Sequence, residues 1–487
     1  METGLDTIGA SPDRLTPLRA QEALFAETNQ TLGARSDAHR VGYARAFTFR
    51  VVEVWWHAIT LKKNAGQPLR ELFDKIACIE LAGPDIKTAD KLGNVCASLD
   101  PDAAAYHIGS IYTAALPDQH RAAHGIYYTP PGLALRLIDQ ATMAGVDWTT
   151  ARVLDPACGG GAFLALVAQR IRAELGNCSP RILVKNIAAR LHGFEIDPFG
   201  AWLSQVMLDA TLLPAIRDGK NRLPVLVTVC DSLRSNSAQE EFDLVIGNPP
   251  YGRTRLDPST RQHYRRSLFG HANLYGLFTD LALRHAKLGG VIAFVTPTSF
   301  LAGEYFKNLR ALLAREAPLS AIDFIAARKG VFESVLQETV LATYRRGARG
   351  GRISVHEIRC SHAETLKIEP AGSSELPADK SQPWLLPRRS HEALLVARLG
   401  QFRCRLKDWG YAVSTGPLVW NRYKDQLAIR AGAKRFPLIW AESVTSGGQF
   451  VWRANKKNHA PYFEVRKDDD WLLTNRVCVL VQRTTAK

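Results

Sequence analysis

The segment Phe242-Asp243-Leu244-Val245-Ile246-Gly247-Asn248-Pro249-Pro250-Tyr251 decides how the chain is read. Phe242 to Ile246 is a short, mostly β-forming apolar run, so it reads as a buried strand that Gly247 ends. Two consecutive prolines then lock φ and remove two backbone donors, and Pro249 confines Asn248 to extended backbone. The rigid tip presents a side-chain carbonyl, a backbone carbonyl without a local donor, and an aromatic face. These suit a planar group carrying an NH2: the two oxygens accept its hydrogens and the ring stacks on its plane. Asn and Pro are also ordinary turn residues, so the weight of this reading comes from the surrounding sequence.

Upstream, Arg152-Val-Leu-Asp-Pro-Ala-Cys-Gly-Gly-Gly-Ala-Phe-Leu164 reads as a strand, a glycine-rich turn and a helix. The glycines allow a ligand close to the backbone. The spacing is not GxGxxG, and no Lys follows as a phosphate loop requires. Instead an acid, Asp155, ends the strand. Arg190-Leu-His-Gly-Phe-Glu-Ile-Asp-Pro198 is a second strand ending in acids, followed by a helix over 199–212. A third strand, Val225 to Val229, runs into Cys230-Asp231-Ser232. Each acid alone is an ordinary cap or turn residue. Three in succession at the carboxyl ends of alternating α/β strands converge on the ligand crevice of an open sheet. There Glu195 can accept from ribose hydroxyls and Asp231 from an adenine amino group. Before them, Thr129 is placed to cap a helix beginning at Pro130, and the preceding aromatic pair Tyr127-Tyr128 forms a wall.

Further along, Asn273 to Phe278 opens a helix, 289–295 and 322–325 are strands, and 330–344 reads as a hairpin with Phe332 near its turn. Residues 1 to about 115 are apolar-rich at helical spacing, a brace without evident chemistry. The segment 351–383, rich in Gly, Ser, Pro and charge, reads as a linker. Beyond it, 384–487 is basic. Leu385–Lys487 carries 19 Lys and Arg against 8 Asp and Glu, most of the +15 excess of the whole chain. Six of the ten Trp fall within 384–487. Basic residues interleaved with aromatics suit a polyanion. Arg253, Arg255, Arg261 and Arg265, with Arg266, follow the Asn-Pro-Pro-Tyr loop closely and suit phosphates. The apolar run 477–481 reads as a strand entering the terminus, as in a truncated domain.

The eight Cys are scattered without paired spacing, so no zinc site, other metal site or disulfide framework is indicated. No apolar run reaches the roughly 18 residues of a membrane span. A cytoplasmic setting without a membrane partner is expected.

The order Tyr128-Thr-Pro-Pro, Asp155-Pro-Ala-Cys-Gly-Gly-Gly-Ala-Phe, Gly193-Phe-Glu-Ile-Asp, Asp231 and Asn248-Pro-Pro-Tyr251 resembles the gamma class of N6-adenine-specific DNA methyltransferases over residues 120–345. The resemblance implies a Rossmann-like α/β methyltransferase domain over 116–350, between an N-terminal helical region and a C-terminal target-recognition domain. It implies that Thr129 and the 155–161 turn, with Asp155, Ala157, Gly159 and Gly161, hold the methionine part of S-adenosylmethionine. It assigns Glu195 to the ribose and Asp231 to the adenine amino group, with Ile196 and Phe278 packing on that ring. Asn248, Pro249 and Tyr251 then hold a target adenine flipped out of double-stranded DNA, and Phe332 stacks on its other face. A cognate restriction endonuclease is the implied partner. A cytosine amine, a protein glutamine amide, or DNA bound without catalysis are the other readings such a loop allows.

Overall fold

The computed structural model describes residues 37–63, 66–73, 76, 79–117, 119–121, 128–235, 241–326, 338–360, 366–414, 416–445 and 447–481. The chain divides into two compact units at Gln401/Phe402.

The first unit is built on a nine-stranded mixed sheet: β1 Val153–Asp155, β2 Leu191–Glu195, β3 Val227–Val229, β4 Phe242–Gly247, β5 Ala286–Pro297, β6 Leu319–Ile325, β7 Thr339–Arg345, β8 Ile353–Cys360 and β9 Leu366–Ser374. Their order is β9-β8-β6-β7-β5-β4-β1-β2-β3. β3, β2, β1, β4 and β5 are parallel, whereas β7 runs antiparallel to both β5 and β6. The chain winds outward from β1 toward β3, then returns past it to β4. The strand order therefore reverses between β1 and β4, where an open α/β sheet leaves a crevice beyond the strand ends.

The period-two geometry of a strand accounts for the core. In β5, Val291, Ala293 and Val295 face one apolar layer while Ile292 and Phe294 face the other. β4 divides likewise, with Leu244 and Ile246 on one side and Val245 on the other. Both layers are covered by helices, so the strands read as continuous apolar runs.

The helix Pro198–Thr211 has no exposed face. Every side chain from Phe199 to Thr211 is buried. Ala201 and Leu208 pack toward the sheet, whereas Phe199, Trp202, Leu203 and Val206 pack against the helices Asp37–Lys62, Gly83–Cys96 and Pro101–Ala115. The N-terminal region thus shares a core with the sheet. Arg70 reinforces it, donating to both oxygens of Asp209 at 2.8 and 3.0 Å. Leu69, Leu72, Phe73, Ile76 and Leu81 pack on the same cluster from irregular chain rather than from the expected helix.

The linker expected over 351–383 is not one. Ile353–Cys360 and Leu366–Ser374 are β8 and β9, and β8 pairs in parallel with β6. The polar composition belongs to the sheet's edge strand β9, where Lys367, Pro370, Gly372 and Ser373 are exposed, and to its neighbour β8. The chain beyond them is also pinned to this unit. The buried Arg310 guanidinium donates to the carbonyls of Phe300, Gly303, Ser381 and Gln382 at 2.6–3.0 Å. Trp384 is 2% exposed, and its backbone N–H donates to the Leu301 carbonyl. The unit boundary therefore falls about 18 residues beyond the expected start of the basic segment at 384.

The second unit holds a small three-stranded antiparallel sheet, Leu427–Ala428, Tyr462–Glu464 and Arg435–Pro437, with single 3-10 turns before it, after it and between its last two strands in sequence. Phe463, Val465 and Leu472 form its core. Of its tryptophans, Trp440 is buried, while Trp409 and Trp471 are exposed. Residues 477–481 are not a strand: they pair with no neighbour among the described residues and their valines are exposed.

Replacing Arg310 by Met removes the donors that satisfy four interior carbonyls. An unsatisfied buried polar group costs about 1–3 kcal/mol, so chemical unfolding should show a loss of roughly 3 kcal/mol or more. Limited proteolysis should open first near residues 379–384.

Candidate functional site

The crevice between β1 and β4 contains a cavity of about 220 Å³ whose wall takes in Thr129, Asp155, Ala157, Gly159, Glu195, Ile196, Asp231, Asn248 and Phe278. These residues, all singled out from sequence and far apart along the chain, come together because each follows the carboxyl end of a strand or opens the helix beside it.

Asp155 ends β1 and is 1% exposed. Its Oδ1 accepts the Ala157 N–H at 3.0 Å, while Oδ2 is buried without a partner among the described residues. Burial, and secondarily the Glu195 charge, push its carboxyl up to about 8 against the favourable Ala157 N–H. Glu195 ends β2. Its Oε2 accepts the Gly159 N–H and its Oε1 the Asp197 N–H, both at 2.8 Å. Burial still raises it to about 7. Each Glu195 oxygen keeps one lone pair, so the carboxylate can accept two more donors from a ligand. Asp231 is more open: its Oδ1 accepts the Leu233 N–H at 3.1 Å, and Arg234 lies 3.4 Å from the other oxygen.

The glycine turn wraps this pair of acids. Gly159 and Gly161 hold φ of +52° and +85°, the left-handed region that side chains disfavour. Gly160 is required for a different reason. A Cβ there would lie 1.9 Å from the Tyr128 hydroxyl, and one on Gly109 would lie 1.9 Å from Cε1 of the same ring. Tyr128 is thus clamped between the helix Pro101–Ala115 and the glycine turn.

The N-terminal helices reach the site a second time through Asp197. This residue caps the helix Pro198–Thr211 by accepting the Phe199 and Gly200 N–H groups. It also accepts the Tyr112 hydroxyl at 2.6 Å and Arg45 Nη2 at 3.0 Å. Tyr112 lines the cavity. Sequence reasoning placed no site residue before Thr129, so Arg45 and Tyr112 were missed. The Asp-Pro step at 197–198, a helix-start signature, marked only their partner.

Thr129 does not cap its helix. The helix runs Pro131–Met143 with Pro130 before it and no side-chain cap bond. Instead the buried Thr129 hydroxyl oxygen accepts Asn248 Nδ2 at 3.1 Å. Asn248 Oδ1 in turn accepts the Tyr251 hydroxyl at 2.7 Å. Asn248 and Pro250 belong to the cavity wall, whereas Pro249 and Tyr251 lie outside it, and the Tyr251 ring packs edge-on to Tyr275 at 6.2 Å. Phe332 lies outside the described residues.

Beyond the loop, Arg253–Thr254 pairs with Ala272–Asn273 as a short ribbon. Arg253, Arg255, Arg261 and Arg265 are exposed. Arg255 lines the cavity, Arg261 donates to the Gly270 carbonyl, and Arg253 lies over the Tyr305 ring at 5.7 Å. Arg266 has a structural partner instead, the fully buried Asp280, which also accepts Ser267 Oγ at 2.7 Å.

Residues 211–332 match the Eco57I restriction-modification methylase family. The type II methyltransferase M.PstI of Providencia stuartii is 28% identical over 51% of this chain and 50% of its own. M.BsuBI of Bacillus subtilis is 24% identical over 76% of this chain and 73% of its own, and M.TthHB8I of Thermus thermophilus 30% over 46% and 45%. The chain spans about half the length of two of these three curated relatives. Among solved structures, a DrdV–DNA complex aligns over 76% of this chain and 46% of that chain with a TM-score of 0.51 at 13% identity, a likeness of fold. Residues 211–332 thus resemble a restriction-modification methylase, and the sheet to which they belong is Rossmann-like.

A Gly109→Ala substitution tests the Tyr128 clamp. Alanine in a helix gains roughly 0.5–1 kcal/mol over glycine, but overpacking costs about 1–3 kcal/mol. A net loss of stability on thermal unfolding is expected, where an ordinary helical glycine would show a gain.

Proposed function

We propose that this restriction-modification methylase domain transfers a methyl group from S-adenosylmethionine to the exocyclic N6 amine of an adenine flipped out of duplex DNA. The observation that carries the reading is the juxtaposition of two functions in one crevice. Buried acids at the ends of β1 and β2 face the same cavity as the Asn248 amide at the end of β4.

The residues fit the cofactor. The unpartnered Asp155 Oδ2 is a buried acceptor that suits an ammonium group. Glu195 offers its two free lone pairs to ribose hydroxyls, and Asp231 an oxygen to the adenine amine. Ile196 and Phe278 pack on the adenine ring, and the Asp155–Gly161 turn with Ala157, Gly159 and Gly161 surrounds the methionine part. When bound, S-adenosylmethionine supplies an electrophilic methyl group on a sulfonium.

An adenine stacked in a duplex is out of reach, so the base must leave the helix. Tyr251 and Phe332 would offset part of that cost by stacking, at about 1–3 kcal/mol per contact. The amine is a weak nucleophile because its lone pair is delocalised into the ring. Accepting its two protons at Asn248 Oδ1 and the Pro249 carbonyl raises electron density on nitrogen and favours a pyramidal geometry. Such preorganised contacts are worth about 3–4 kcal/mol each where an oxyanion donor is the guide. With S-adenosylmethionine bound, the amine's lone pair would form the N–C bond as the methyl's C–S bond breaks onto sulfur, S-adenosylhomocysteine would be the leaving group, and the surplus proton would pass to water. Arg253, Arg255, Arg261 and Arg265 then hold phosphates beside the loop, and the basic C-terminal segment reads the target. The type II methyltransferases among the relatives and the DNA in the DrdV complex support a DNA substrate. A cognate endonuclease would complete the pair.

Two outcomes check this. Asn248→Ala should bind S-adenosylmethionine within about threefold of wild type and lose methyl transfer to DNA by two orders of magnitude or more. Wild-type transfer in that variant contradicts the assignment of the loop. The second outcome concerns pH. Asp155 and Glu195 have raised carboxyls, about 8 and about 7, so the folded state binds their protons more tightly than the unfolded chain. Their contribution to stability is complete below about pH 4 and is lost as pH rises through about 7 to 8. A cationic ligand favours the ionised pair. The rise in unfolding temperature on adding S-adenosylmethionine should therefore be larger at about pH 8.5 than at about pH 6, and Asp155→Asn should flatten the difference.

A further inference from the structure

Thr129 makes one hydrogen bond among the described residues, and in it the hydroxyl is the acceptor, from Asn248 Nδ2 at 3.1 Å. A hydroxyl has one proton to donate as well. Among the described residues the hydroxyl donates no hydrogen bond, although the side chain is 2% exposed and lines the cavity. The proton is therefore available to a ligand.

The amide of Asn248 can turn over, exchanging Oδ1 and Nδ2, and its two partners tolerate both orientations. Thr129 can accept from Nδ2 or donate to Oδ1. The Tyr251 hydroxyl can donate to Oδ1, or accept from Nδ2 and turn its proton to the Val295 carbonyl, 3.4 Å away. Only the first orientation leaves a carbonyl oxygen for the target amine; the second opposes an N–H to an N–H. Without a further constraint the hydroxyl pair does not choose.

An anionic group in the cavity makes the choice. If it takes the Thr129 proton, Thr129 can only accept from Asn248. Nδ2 must then face Thr129, and Oδ1 must face Tyr251. We infer that Thr129 is a positioning residue: by donating to the carboxylate of the bound cofactor, its hydroxyl sets the orientation of the Asn248 amide and couples cofactor occupancy to readiness for the target amine. This rests on the proposed function, since it takes the cavity to hold the amino-carboxylate end of S-adenosylmethionine.

A double-mutant cycle tests it, with calorimetric affinity as the readout. Wild type, Thr129→Val, Asn248→Ala and the double variant are titrated with two probes. S-adenosylhomocysteine carries the amino-carboxylate, and 5′-methylthioadenosine lacks it. With S-adenosylhomocysteine, Thr129→Val should weaken binding at least fivefold in the wild-type background and at least threefold less than that in the Asn248→Ala background. With 5′-methylthioadenosine the two substitutions should act independently. Thr129→Ser, which keeps the hydroxyl, should bind within threefold of wild type and keep the coupling. It carries the test in place of Thr129→Val if that variant does not fold. In methyl transfer at saturating cofactor, Thr129→Val should lower kcat at least tenfold, beyond its effect on cofactor KM, and Thr129→Ser should restore it. Independent effects with S-adenosylhomocysteine, or equal coupling with both probes, overturn the inference and leave the proposed function standing. If wild type binds neither probe, the proposed function fails and the inference with it.

Discussion

The structure depends on two carboxylates kept out of water at the ends of adjacent parallel strands. Desolvating a carboxylate is unfavourable unless hydrogen bonds or a cation compensate. Here the compensation is unequal. Glu195 takes two backbone N–H groups, whereas Asp155 takes one and keeps an oxygen unmatched among the described residues. Burial raises both carboxyls more than these hydrogen bonds lower them, and leaves the free protein with an electrostatic deficit that a cationic ligand relieves. The left-handed turn at Gly159 and Gly161 follows from the same requirement, because it aims the Gly159 N–H at Glu195.

That arrangement also explains the N-terminal helices. Asp197 adds a third acid beside Glu195, and its charge is met by Arg45 and the Tyr112 hydroxyl from two different helices. Tyr128 wedges between Gly109 and Gly160. The brace therefore completes one wall of the cavity, which is why the helix Pro198–Thr211 is buried along its whole length. Loosening it should be felt at the glycine turn.

Much of this was legible in the sequence, and the exceptions have physical causes. The strands ending at Asp155, Glu195 and Gly247 announced themselves by apolar runs followed by glycine or acid, and the switch point followed from α/β alternation. Thr129 was found, but as a helix cap; its bond to Asn248 joins residues 119 apart in sequence, beyond the reach of local patterns. Arg45 and Tyr112 carry no motif, because a clamp on a buried Asp can come from any element that packs there. The segment 351–383 misled by composition: a partly solvated edge strand and its neighbour share the polar residues of linkers. Residues 477–481 misled the other way, since an apolar run makes a strand only where a neighbour can pair with it.

The most direct measurement is methyl transfer itself. Mixed-sequence duplex DNA is incubated with the protein and S-adenosylmethionine labelled in the methyl group, then digested to nucleosides. Label on deoxyadenosine, at the exocyclic amine, is the expected result. Label on deoxycytidine would keep the crevice and its amide but contradict the base. Label absent from DNA in a protein that still binds the cofactor would contradict DNA methylation by this crevice.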